Sequence, residues 1–156
     1  MTQLNLTPNY TLILLIAFVS FFNLQAQPEK VNYKKIEKSI NNKSSLFYYP
    51  NLFSRFLAND TTLTITDYRY LYYGFSFQEE YNPYWRSSNI DELNKVYQKK
   101  SPSQKDYQRL IKLSDEILSK SPFNLDAILN NFTAYEELSE IEISKKWFYK
   151  YDMHKG

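Results

Sequence analysis

Ser101-Pro-Ser-Gln-Lys-Asp-Tyr-Gln-Arg-Leu-Ile-Lys-Leu-Ser-Asp-Glu-Ile-Leu-Ser-Lys-Ser-Pro122 decides the fold class. Tyr107, Leu110, Ile111, Ser114, Ile117 and Leu118 fall on one face at helical spacing, with Lys, Arg, Asp and Glu between them. Ser101 as cap, Pro102 in the first turn and Gln104 three residues on predict the start of this helix, and Pro122 limits its end. Beyond it, Asn124 caps a second helix with Leu125, Ile128, Leu129, Phe132, Tyr135 and Leu138 inward. A third follows from Glu140 to Tyr151, with Ile143, Trp147 and Tyr151 at four-residue spacing.

The same reading extends toward the N-terminus. Asn89 to Lys99 presents Ile90, Leu93 and Tyr97 on one stripe. Thr64 and Asp67 form a capping pair for a helix that runs to Tyr73 and stops at Gly74, where a left-handed cap is expected. Pro50 suits the first turn of a helix through Ala58, with Leu52, Phe53, Phe56 and Leu57 buried. Tyr33, Ile36 and Ile40 mark a helix within residues 28–42. No stretch alternates long enough for a sheet strand. The expected fold is all-α, a small bundle of about six helices with tetratricopeptide-like hairpin packing in the C-terminal half, where Pro122, Asn124, Ala127, Ala134 and Tyr135 recur in that style.

The N-terminus reads differently. Leu12-Ile-Leu-Leu-Ile-Ala-Phe-Val19, then Phe21-Phe22 and a small-residue site at Ala26, has the layout of a cleaved secretory signal peptide. The run is shorter than the roughly 20 apolar residues of a membrane-spanning helix. Residues 1–26 are therefore expected to be removed, leaving 27–156 as a single helical domain, periplasmic or secreted, with no stable membrane span. Cysteine is absent, which excludes disulfides, thiolate metal sites and a lipid-bearing cysteine. All charged residues lie after Ala26, with both signs mixed and a net charge of +2, which argues against a nucleic-acid partner.

Composition points to rings: 15 Tyr, 11 Phe and 2 Trp stand against 2 Gly. Tyr68 to Trp85 is the densest run. Within it Tyr70, Tyr73, Tyr81, Tyr84 and Trp85, beside Arg69, are the candidate binding residues, because exposed rings with polar neighbours make a stacking platform. Tyr70 and Tyr73 lie off the apolar stripe of their helix and are expected near the surface. The competing reading makes these rings core and rim. Pro50, Arg55, Asp60, Thr61, Thr64, Asp67 and Gly74 are read as a structural motif of caps and ion pairs; an acid–base pair or a weak cation site is the alternative use of Asp60 and Asp67. His154 is expected to be frayed. With no Cys, no second His and no Gly-flanked Ser, nucleophile–base triads and zinc sites lack their parts, and no catalytic residue, metal or cofactor is expected.

Three segments also agree, in order and spacing, with a known family: Phe47-Tyr-Tyr-Pro-Asn-Leu-Phe-Ser-Arg-Phe-Leu-Ala-Asn-Asp-Thr-Thr-Leu-Thr64, Asp67-Tyr-Arg-Tyr-Leu-Tyr-Tyr-Gly-Phe75 and Tyr81-Asn-Pro-Tyr84. Over Val31 to Tyr151 the chain resembles an exported bacterial family known only as domain of unknown function 4919. The resemblance implies export and a helical fold but no activity. It also implies a short member, because the family continues into a turn of Ser-Gly-Asp-Gly type and a further helix. The expected function is a non-enzymatic module binding an envelope protein or peptide; the alternative is a glycan-binding or hydrolytic envelope protein using ring stacking and the Asp pair.

Overall fold

A computed structural model describes residues 30–155, and the expected signal peptide lies outside the described residues. Among these residues the chain is all-α, with seven helices: α1 Tyr33–Ile40, α2 Tyr49–Leu57, α3 Ile65–Phe75, α4 Ile90–Tyr97, α5 Gln104–Lys120, α6 Leu125–Glu137 and α7 Ile141–Lys155. None of them is long and apolar enough to cross a membrane.

The helices pack in two groups. In the first, α1 and α2 lie against α3, burying Ile36, Ile40, Leu52, Phe56 and Leu71. In the second, α5, α6 and α7 pack as consecutive hairpins, with α4 laid on α5. Ala127, Ala134 and Ser114 are fully buried there, and their small side chains let the helix axes approach closely. The groups meet where α3 touches α7. Tyr149 on α7 donates its hydroxyl to the Leu63 carbonyl at 2.6 Å, and Phe123, between α5 and α6, sets its ring 5.1 Å from Phe56 and 5.6 Å from Phe75.

Caps explain most boundaries. Thr64 Oγ1 accepts from the Asp67 N–H, while the Asp67 carboxylate accepts from the Thr64 N–H at 2.8 Å, a reciprocal box that starts α3. Thr64→Ala is expected to lower stability by about 1 kcal/mol. Urea denaturation checks this, and an unchanged midpoint would show that α3 is positioned by packing alone. Asn124 Oδ1 accepts from the Ala127 N–H at 2.9 Å, as its position before α6 predicts.

Several expectations are corrected. α5 is capped by Ser103, not Ser101: the Asp106 carboxylate accepts from both the N–H and the hydroxyl of Ser103 at 2.8 Å. A carboxylate outcompetes the Gln104 amide for the positive helix start. α3 continues through Gly74, which has no positive φ and is buried. A Cβ at Gly74 would stand 3.1 Å from the Tyr49 ring and 3.2 Å from Ile40 Cγ2, so this glycine serves close helix approach instead of a turn. The left-handed positions belong to Asn59 (φ 55°) and Ser139 (φ 62°), which end α2 and α6.

α7 differs most. Ile143 is exposed, whereas Ser144 and Lys150 are buried. His154 is half-buried, its ring 5.2 Å from Tyr68 and 5.5 Å from Phe123. Its Nδ1–H donates to the Lys150 carbonyl at 2.8 Å, and Nε2 is buried with no hydrogen-bond partner among the described residues. Burial pushes the imidazole pKa down, and the Lys150 charge pushes the same way. The unfolded chain therefore takes up a proton near the ordinary histidine value of about 6.5 that the folded chain resists, so stability is full above that pH and falls as pH drops below it. Melting temperature is expected to decline between about pH 7.5 and 5.5, and His154→Leu is expected to flatten that decline. Equal pH slopes in the two proteins would refute the assignment.

Candidate functional site

α4 and α6 both stand on α5, and the space between them is not filled by the chain's own side chains. Leu93 and Val96 of α4 are buried against Leu110, Leu113 and Ile117 of α5. Two polar links hold α4 there: Asn89 Nδ2 donates to Glu116 Oε2 at 2.6 Å, and Arg109 pairs with Glu92. Between α4 and α6 lies a groove of about 770 Å³. Its floor is Leu93, Leu110, Ile117 and Ala127, and Trp85, from the segment leading into α4, closes one side.

The walls are polar but nearly uncharged. Asn94, Asn130, Ser121 and Thr133 line them, with Arg86 and Asp126 as the charged residues. The Tyr97 hydroxyl donates to Asn130 Oδ1, bridging α4 and α6. Burial raises the Tyr97 pKa further above its ordinary 10, so the phenol keeps its proton and remains a donor. The bridge leaves the Asn130 NH₂ group for other acceptors. A carboxamide carries donors and an acceptor, and such groups above an apolar floor complement a peptide backbone whose side chain is buried below.

The structure separates the candidate binding residues that were grouped by sequence. Tyr70 is buried and stacked on Phe47 at 3.9 Å with ring planes 5° apart, which corrects its expected surface position. α3 is covered on more than one side, so a residue off the main stripe still goes inside. Tyr73 is half-buried, edge-on to Tyr33 at 5.8 Å and to Tyr72 at 5.2 Å. Tyr81 is exposed, edge-on to Phe75 at 5.5 Å, and Tyr84 is 89% exposed on a turn fixed by Asn82. Arg69 is half-buried on α3. Trp85 is the member of the set that lines the groove. Leu93 and Tyr97 were visible in sequence only as one helix face, and Asn130 carried no signal there.

The structural motif also resolves. Pro50 lies in the first turn of α2. Arg55 Nε donates to Asp60 Oδ2 at 2.7 Å, and Asp60 Oδ1 accepts from the N–H and hydroxyl of Thr62 at 2.8 and 2.6 Å. Thr62, not Thr61, completes this cluster; Thr61 is exposed. The Arg55–Asp60 pair is partly exposed and fastens α2 to its own following loop. Hydrogen bonds from Thr62 first, then Arg55, hold the Asp60 carboxyl down at about 2, so it stays ionised and cannot donate a proton near neutral pH. Asp67 is engaged in the α3 cap. Among the described residues no three acidic or histidine side chains gather as metal ligands.

Residues 34–154 match the model of a family described as domain of unknown function (DUF4919). The chain belongs to this family. The match runs from the second residue of α1 to the penultimate residue of α7, so the groove of this DUF4919 protein and its walls lie wholly within the family region. No curated protein matches the chain, and no solved structure does.

Proposed function

We propose that this DUF4919 protein is an exported, non-enzymatic module that binds an extended peptide segment of an envelope protein in the groove between α4 and α6. The observation that carries the reading is the groove itself: an apolar floor, a tryptophan wall and carboxamides, in a volume of about 770 Å³. Ligand sites commonly span about 300–1,000 Å³ and combine an apolar lining with a few polar groups. A bulky apolar side chain of the peptide would seat on Leu93, Leu110 and Ile117, and Asn94 and Asn130 would bond its backbone. The apolar leader Leu12 to Phe22 supports export.

Selection of displayed peptides on the purified protein tests the binding. Enriched sequences are expected to share one large apolar anchor, and their addition to a Trp147→Phe variant is expected to shift the emission of Trp85 saturably. Absence of enrichment, or enriched peptides that leave Trp85 emission unchanged, would refute the groove. N-terminal sequencing of exported material tests the leader, and a mature chain beginning at Met1 would contradict its cleavage.

A further inference from the structure

A smaller cavity, of about 240 Å³, lies on a different face of α5, between that helix, the end of α2 and α7. Phe56, Trp147, Leu118 and Pro122 give it apolar walls, and Lys150 and Asp115 line it as well. Lys150 is only 4% exposed. Its Nζ sits 4.1 Å from the centre of the Phe56 ring and 4.7 Å from that of Trp147. Among the described residues it forms no ion pair.

This is an expensive way to keep a lysine. Burial lowers its pKa to about 8, with Asp115 pulling in the other direction, so the amine is still mainly protonated at neutral pH. Ring faces compensate a buried cation only in part, and a cation without a paired anion weakens the fold. Asp115, at the exposed rim, accepts from Asn131 Nδ2 through Oδ1 at 2.8 Å and does not pair with Lys150 directly. The cavity therefore presents a buried cation, a rim carboxylate and aromatic walls, in the space of roughly eight waters.

We propose that Lys150 and Asp115 form a second binding site, for a small zwitterion of the α-amino acid class, whose carboxylate pairs with Lys150 Nζ and whose ammonium is held by Asp115. A simple carboxylate would meet the repulsion of Asp115, and a simple amine that of Lys150. Only a ligand carrying both charges satisfies both poles, while its side chain lies against Phe56 and Trp147.

The test is titration of the purified protein with the standard amino acids one at a time, read by heat and by Trp147 emission in a Trp85→Phe variant. Leucine is compared with 3-methylbutylamine and 4-methylpentanoate, which each lack one charge. At least one amino acid is expected to bind, and each of its one-charge analogues to bind about tenfold more weakly or worse. Lys150→Met is expected to abolish the advantage of the amino acid over its amine while keeping or raising the melting temperature, because it removes an unpaired buried charge. Should Lys150→Met not fold, Asp115→Asn at the exposed rim carries the test, and it is expected to weaken the amino acid to the level of its deaminated analogue. No heat and no emission change with any amino acid up to about 10 mM, or affinities indifferent to both substitutions, would overturn the proposal.

Discussion

Phe56→Ala is expected to reduce the stability of the protein by about 3–5 kcal/mol, the range for deleting a large buried ring. Phe56 is 2% exposed and lies at the junction of the two helix groups. Its ring stands 5.9 Å from Tyr68 of α3, 5.1 Å from Phe123 at the α5–α6 corner and 6.1 Å from His154 of α7. It also forms one face of the aromatic enclosure around Lys150 Nζ. Truncation to a methyl leaves a void bordered by three helices, none of which can close it without breaking its own contacts, and leaves the buried ammonium with one ring in place of two. Because Phe56 contacts rings from both helix groups beside the α3–α7 contact, the loss is expected to be global. Urea unfolding measures it, and a loss below about 1 kcal/mol would show that the groups are held together elsewhere.

Three helix starts were legible in this sequence through local cap chemistry, although at α5 the same chemistry was placed two residues early, at Ser101 in place of Ser103. Thr64 with Asp67, Asn124, and Pro50 all mark helix starts because their side chains or ring act on the adjacent backbone, and nothing distant interferes. Gly74 was not legible, since a glycine serves a left-handed cap and a close helix approach equally well, and only the position of the Tyr49 ring decides between them. The same limit applies to α7. Its apolar spacing named Ile143, but α6 and α3 press on the stripe that carries Ser144 and Lys150 and draw in His154 at the helix end. Tyr70 is hidden by Phe47, a residue of a loop that periodicity does not address. The groove was legible only through Trp85, because a gap between two helices standing on a third leaves no pattern in any one of them.

That gap carries the functional account. Trp85→Ala is expected to weaken binding of a groove-selected peptide by about 2–4 kcal/mol, as for a central aromatic anchor excluded from water. Trp85 packs on the Leu93, Leu110 and Ile117 cluster and is the largest side chain along the groove, so its loss opens the apolar floor to solvent. Tyr73 and Tyr81 belong to the ring-rich stretch that suggested binding in the sequence, but each rests edge-on against a ring outside the groove. The most direct measurement is calorimetric titration of one such peptide into the parent protein and into Trp85→Ala, Tyr73→Ala and Tyr81→Ala, with folding of each confirmed by circular dichroism. The groove predicts that Trp85→Ala loses binding while the two tyrosine variants stay within about twofold of the parent. Full binding by Trp85→Ala, with loss in Tyr73→Ala or Tyr81→Ala, would contradict it and return the site to the tyrosine cluster.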